Sequence, residues 1–425
     1  MIIFVAAFII LLCIAAPITV ALGGCSMVYA LIGGTVPITT LIQTTFGGLT
    51  SFPLLAIPLF ILAGNLMNEG GLTPDLVNFT RKLLGHIRGG LGHATILACA
   101  IFAAISGAAV ATAVAIGVVM LPAMKKAGYD DDMAAALTCT ASCLGPIIPP
   151  SIPFIIYGVS ANVSIAALFL GGVLPGIVLA AALMVYMYFV ATRKNYPRDP
   201  KTPASQILVA AFRAMPALFM PVLIIGGILS GMFTPTEAAG VTVIYAAVMG
   251  AFYYRRLNFR NLPKVLLASG LEYGMVMLLI AMSEPFAWFV AADQIPQLII
   301  NWISHVTTSP HMVLLLVNIF LILLGIPIET APALVIVTPV LVPIAASVGI
   351  DPVHLGIVIC LNLVLGLITP PVGAVLFAVC GMTNMSLDRL SRAIWPPFLV
   401  SLVVLGIVTY LPWLSTYLPR LIFGR

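Results

Sequence analysis

One interruption occurs twice in this chain, 221 positions apart, and it constrains the fold more than any other feature. The first copy is Leu144-Gly145-Pro146-Ile147-Ile148-Pro149-Pro150, the second Leu365-Gly366-Leu367-Ile368-Thr369-Pro370-Pro371. The register extends upstream, where Pro122 matches Pro343, Gly128 matches Gly349 and Asp130 matches Asp351. Proline has no amide hydrogen and its ring clashes with the preceding turn. Each long apolar run should therefore split into two half-helices. Broken hydrophobic segments at corresponding positions of two halves point to a binding site of a transporter.

The surrounding sequence admits only a membrane protein. Of 425 residues, 62% are hydrophobic and 7% charged, outside the range of soluble domains. Apolar runs of about 20 residues, the length of a spanning helix, recur from end to end. Short alternating segments of the barrel type are absent. The segment Met1 to Gly24 has no basic residue, the first being Arg81, so it reads as a retained span rather than a signal peptide. The seven cysteines form no CxxC pair and read as small buried hydrophobes. No transition-metal site is expected, because Cys139 and Cys143 share a helix face without further ligands and the histidines do not cluster.

Spans are expected near 2–22, 25–45, 52–69, 131–158, 168–192, 207–230, 233–254, 265–290, 351–380 and 394–417. The stretches 94–121 and 312–345 carry glycine, proline and polar residues midway and read as re-entrant hairpins. Such backbone is tolerated at membrane depth where protein or a wet cavity surrounds it. With the N-terminus outside, every one of the 18 basic residues except Arg420 and Arg425 falls on the cytoplasmic side. The loop before the first break carries Lys125 and Lys126, while its counterpart near Ser347 carries none. After the breaks the bias reverses, with Arg389 and Arg392 in the second copy only. Corresponding loops thus lie on opposite sides. The fold expected is all-α and polytopic, with two inverted-topology repeats of five spans, one re-entrant hairpin and one broken helix each. Leu72 to Arg88, Asn195 to Arg213 and Gln294 to His305, with Trp302, are expected to lie along the interfaces.

A broken helix offers bare carbonyls at one cut end and bare amides at the other. The first suits a cation and the second a carboxylate. Pro149, Pro150, Pro370 and Pro371 withhold donors, which leaves nearby carbonyls free. Gly145 and Ile148, with Ser106 and Gly107 of the first hairpin tip, form one candidate alkali-cation site. Gly366 and Thr369, with the second tip from Gly325 to Thr330, form its mirror. Ser106, Ser151, Glu329 and Thr330 are the candidate substrate contacts. Apart from Arg213 near the cytoplasmic start of 207–230 the spans hold no lysine or arginine, so a transported anion must be met by co-bound cations and half-helix N-termini. Intramembrane carboxylates are functional suspects, here Glu237, Glu272, Glu284 and Glu329. Glu329 has two readings, a site carboxylate or a structural acceptor for tip amides. Glu237 is expected to cap a helix or brace the structure. Asp130, Asp131, Asp132 and Asp351 are expected to cap helices.

Taken together, these stretches resemble the large membrane subunit (M type) of the tripartite ATP-independent periplasmic (TRAP) transporters. The resemblance rests on Leu55 to Gly64, Ile105-Ser106-Gly107, Leu144 to Pro153, Leu170 to Gly176, Phe233 to Gly240 and Leu365 to Pro371. The family often has a second serine where this chain has Ala108, so a ligand there must come from the backbone. The resemblance implies sodium-driven import of an organic acid across the bacterial inner membrane by an elevator movement, with a lean towards the sialic-acid branch over C4-dicarboxylates. Residues 92–192 and 311–425 would be the moving transport domain, 1–91 and 207–310 the scaffold, and 193–206 the cytoplasmic linker. It implies a small four-helix membrane subunit (Q type) and a periplasmic substrate-binding protein (P type). No ATPase, nucleic acid or organic cofactor is expected, only sodium as coupling ion.

Other readings remain open from the residues. A proton-coupled carrier of the same fold would use Glu329. An intramembrane enzyme would need a base near Ser106, and neither histidine nor lysine is expected at its depth. A passive channel has no need of two matched hairpins.

Overall fold

The computed structural model describes residues 2–14, 16–33 and 37–424. Every regular element among them is helical. Seven helices are long and apolar enough to cross a membrane, or eight counting one bent pair. Phe52–Glu69, Ile165–Arg193, Ala204–Leu229, Pro235–Tyr253 and Leu262–Ala292 fall where spans were expected.

Both hairpins form, and both are longer than predicted. The first has arms Gly90–Ser106 and Ala109–Lys126, the second Pro310–Gly325 and Thr330–Ser347. Their outer turns, with His93, Lys125, Lys126 and His311, are less apolar than the middle of the arms, so hydrophobicity alone cut them short. Both broken helices also form, as Asp131–Ser142 with Ile152–Ser160 and Pro352–Gly366 with Ala374–Thr383. Their first halves are the innermost elements, with Met133 to Ser142 and His354 to Gly366 entirely buried. A helix apolar on all sides has to be enclosed in this way. The Pro149–Pro150 and Pro370–Pro371 bonds are both cis.

The repeat is visible in the packing. Cys143 Sγ lies 3.8 Å from Val364 O, and these residues are 221 apart. Register-equivalent positions touch only on the axis that relates the halves. Nearby, Tyr157 donates its hydroxyl to Pro352 O at 2.8 Å, tying the end of one broken helix to the start of the other.

Three expected spans are corrected. In place of 2–22 and 25–45 the chain forms Ile2–Cys13, Ile18–Gly33 and Ile38–Leu49. The new helices begin just after Pro17 and Pro37, and proline disfavours helix in the residue before it. In place of 394–417 the chain forms Trp395–Tyr410 and Trp413–Phe423, divided at Pro412. The helix Leu387–Ala393 joins Trp395–Tyr410 at 51°. Pro396 matches Pro175, which Ile165–Arg193 accommodates, but Pro397 stands where that helix has Gly176 and withholds a further amide, so the uninterrupted helix is not repeated.

Of the connectors, Leu72–Leu84 is an amphipathic helix with Leu72, Leu76 and Val77 buried and Arg81 exposed. Ile295–Val306 is its counterpart, and the Trp302 side chain lies outside the described residues. Glu237 completes a capping box with Thr234, the role expected of it. Asp351 caps its helix, accepting the Val353 and His354 amides at 2.8 and 3.2 Å. Asp130 departs from expectation. It occupies the N-cap position without a capping bond, and its carboxylate instead takes the Lys194 ammonium and the Tyr196 hydroxyl.

Candidate functional site

The first hairpin tip and the first break meet backbone to backbone. Gly107, at φ +62°, ends the hairpin's first arm, and a Cβ there would stand 2.8 Å from Pro150 O. Its carbonyl accepts the Ile152 amide at 3.5 Å. From the other side Gly145 faces the same tip, where a Cβ would stand 2.6 Å from Ala108 O and 2.7 Å from Thr112 Oγ1. Only glycine permits these approaches. Oxygens gather at the contact. Ser106 Oγ is 2.8 Å from Thr112 Oγ1, and Thr112 donates to Ala108 O at 2.8 Å. The Ile148 amide turns back to Leu144 O at 2.9 Å.

The second pair repeats the backbone and changes the side chains. Gly366 sits against Gly325, with a Cβ 2.6 Å from Gly325 O. Thr369 donates to Leu365 O at 2.8 Å and Thr330 to Leu363 O at 3.3 Å. Both threonines are buried. Ser151 is fully buried as well, and it caps the helix Ile152–Ser160 through Phe154 N while donating to Pro146 O. Its hydroxyl is spent on structure, and it does not line the cavity described next.

A cavity of about 550 Å³ joins Ser106 to Glu329. Ala108 and Ile152 line one side, and Asn65, Asn68 and Glu272 face them from the helices Ala56–Glu69 and Leu262–Ala292. Glu329 occupies the N-cap of Thr330–Ser347 but makes no capping bond, so its carboxylate is left to the cavity. Ala108, at the N-cap of Ala109–Lys126, has no side-chain acceptor for the first amides of that helix. Those amides and the helix dipole present partial positive charge at the cavity wall. No lysine, arginine or histidine lines it among the described residues. Asn65 donates to Ser269 Oγ at 3.0 Å and to Glu272 Oε2 at 3.3 Å, which fixes the opposite wall. No group of three or more metal-ligating side chains occurs among the described residues.

Residues 5–414 match the family described as "Tripartite ATP-independent periplasmic transporter, DctM component". The chain belongs to that family. It is 40% identical to the sialic acid TRAP transporter large permease protein SiaM of Vibrio cholerae, over 90% of each chain. It is 43% identical to the C4-dicarboxylate TRAP transporter large permease protein DctM of Pseudomonas aeruginosa, over 87% of this chain and 86% of that one. The YdaH transporter of Alcanivorax borkumensis shares the fold, with a TM-score of 0.65 at 16% identity over 91% of this chain and 88% of that one. This DctM-family chain is therefore a multi-span membrane subunit of a TRAP transporter and not an enzyme.

Three polar groups of the DctM-family site escaped the sequence reading. Thr112 lies six residues beyond Ser106, too far for a contact within one helix, and only the turn at Gly107 brings the two together. Asn65 and Asn68 belong to an expected span that gave no hint of facing a tip. Their one signal is Gly64 beside them, where a Cβ would come 3.4 Å from Ser106 Cα. Glu272, one of the intramembrane carboxylates suspected of function but not placed at a tip, lines the cavity as well.

Proposed function

We propose that this TRAP subunit imports an organic acid anion with sodium ions bound where each hairpin tip meets its broken helix. The observation that carries the reading is the oxygen cluster of Ser106, Thr112 and Ala108 against Gly145. Several neutral oxygens with no strong base suit an alkali cation. The cavity adds a reason for coupling. It holds two carboxylates and no basic side chain among the described residues, so an anion entering it needs cations beside it. The uncapped helix N-terminus at Ala108 would take the substrate carboxylate. The substrate class is that of sialic acid or C4-dicarboxylates, the cargo named for the relatives.

In this reading 92–192 and 311–425 move as one body against 1–91 and 207–310, and the cavity between Ser106 and Asn65 lies on the sliding surface. A small Q-type subunit supports the outer face of the fixed body, and a P-type protein delivers substrate from the periplasm. The protein sits in the bacterial inner membrane with both termini periplasmic, as its lysines and arginines favour.

The first test is thermal stability of the purified protein in sodium against potassium at equal ionic strength. A ligand that binds only the folded state raises stability with the logarithm of its concentration. Sodium-specific stabilisation that disappears in Thr112→Val supports the site, whereas superimposable curves in the two salts reject it. The uncapped Glu329 favours a second reading, proton coupling through that carboxylate. Uptake by Glu329→Gln that still follows a sodium gradient and ignores a proton gradient would eliminate it.

A further inference from the structure

The inverted repeat creates two cavities of nearly equal size at opposite ends of the molecule, about 840 and 860 Å³. They are copies of each other. Asp132 and Asp388 line the first, and their counterparts in the 221 register, Val353 and Ala167, line the second. The fold therefore supplies the space twice, walled in the first by the end of Ile165–Arg193 and in the second by Trp413–Phe423, and the lining side chains set the two apart most.

The difference is charge. Arg193, Lys194, Arg389 and Arg392 converge on the first cavity, against the carboxylates of Asp132 and Asp388. Arg389 is engaged with Asp132 at 2.6 Å, and Lys194 with Asp130. Arg193 and Arg392 have no ion pair among the described residues, and Asp388 is the one lining carboxylate left to set against them, so the cavity keeps an excess of positive charge. In the twin, Arg420 is the one lining cation among the described residues, and Asp351 stands 3.9 Å from it. Orienting the chain in a membrane needs positive charge on one side. It does not need four cations from two helices, distant in sequence, gathered into one recess.

The floor of the basic cavity is apolar, with Tyr186, Val190 and Pro396. It opens onto the exposed apolar surface of Ile165–Arg193 and Trp395–Tyr410, where Phe189, Trp395 and Leu399 are exposed. A free inorganic anion has no use for that floor. A molecule with a phosphate at one end and a hydrocarbon chain at the other matches both parts. Arginine pairs with phosphate through parallel N–H donors, and basic recesses between helices hold acidic headgroups in this manner. We propose that this cavity binds the phosphate headgroup of an acidic phospholipid, with an acyl chain along the groove between Ile165–Arg193 and Trp395–Tyr410.

The test is native mass spectrometry of the full-length purified protein in detergent, with phosphatidylglycerol or phosphatidylcholine of identical acyl chains. The expected result is preferential retention of phosphatidylglycerol. Each arginine near a headgroup contributes about fivefold in affinity, so Arg193→Gln with Arg392→Gln should weaken retention about 25-fold. Arg193→Lys with Arg392→Lys should keep most of it, and Arg420→Gln in the twin cavity should change nothing. An unchanged melting temperature of each variant without lipid shows that folding is intact. Equal retention of the two lipids overturns the proposal, as does full retention by the double glutamine variant. Displacement of the lipid by millimolar inorganic phosphate also overturns it, since the occupant would then be a soluble anion.

Discussion

The two breaks share a backbone and differ in what surrounds it. At the first, Gly145 meets a tip carrying Ser106 and Thr112, whose hydroxyls are joined at 2.8 Å. At the second, Gly366 meets Gly325, and the nearest hydroxyls, on Thr369 and Thr330, are turned onto carbonyls of the broken helix itself. Close approach is thus conserved between the halves while side-chain oxygen is not. Duplication fixes where a tip can touch a break. Side chains then decide how many free ligands each contact offers, and the first offers more.

The largest expected effects strike what the breaks have in common. Gly366→Ala places a methyl 2.6 Å from a backbone carbonyl, which cannot move aside as a side-chain end would. Overpacking of this kind costs about 1–3 kcal/mol. Uptake into proteoliposomes should fall by at least about tenfold, and Gly145→Ala should behave alike. Normal uptake by either variant means that the tips do not need backbone contact.

Thr112→Val separates the two sites. It removes a hydroxyl shared by Ser106 and Ala108 O, and should weaken sodium-dependent stabilisation about tenfold in apparent affinity. Thr330→Val removes one bond to Leu363 O and should cost about 1 kcal/mol of stability with sodium dependence retained. Calorimetric melting across a sodium titration reads both, and a reversed order assigns the richer site to the second break.

Smaller effects come from the register pair Asp130 and Asp351. Asp351→Ala deletes a cap and should cost about 1 kcal/mol in the melt, while Asp351→Asn should cost less. Asp130 behaves differently. The bond from Lys194, with that from Tyr196, holds its carboxyl below the usual range against a small opposing effect of burial. A lowered folded pKa adds stability above the unfolded pKa and loses it as pH falls through the folded value. The group is largely exposed and screened, so the effect is small. Asp130→Asn should lower the melting temperature slightly near neutrality and flatten its fall below about pH 4, where the two proteins converge.

Much of this arrangement was legible because its causes are local. Pro149, Pro150, Pro370 and Pro371 break helices wherever they occur, and Thr234 to Glu237 is a cap whatever surrounds it. The pairing of each tip with its break followed from their repetition. The failures are of two kinds. Pro17, Pro37 and Pro412 divide apolar runs that hydropathy passes as continuous, since hydropathy weighs side chains and ignores missing amides. Thr112, Asn65 and Glu272 reach the site by tertiary packing, and no spacing along one helix brings them together. Ser151 shows the opposite error, a polar residue beside the break whose hydroxyl is consumed in capping.

The meeting of Cys143 with Val364 has one more consequence. A point on the symmetry axis is its own image. If the halves trade conformations during the transport cycle, residues beside the axis are displaced least and those far from it most. The seam is therefore the natural origin of coordinates for the molecule, and displacements of hairpins and outer helices are best measured from it.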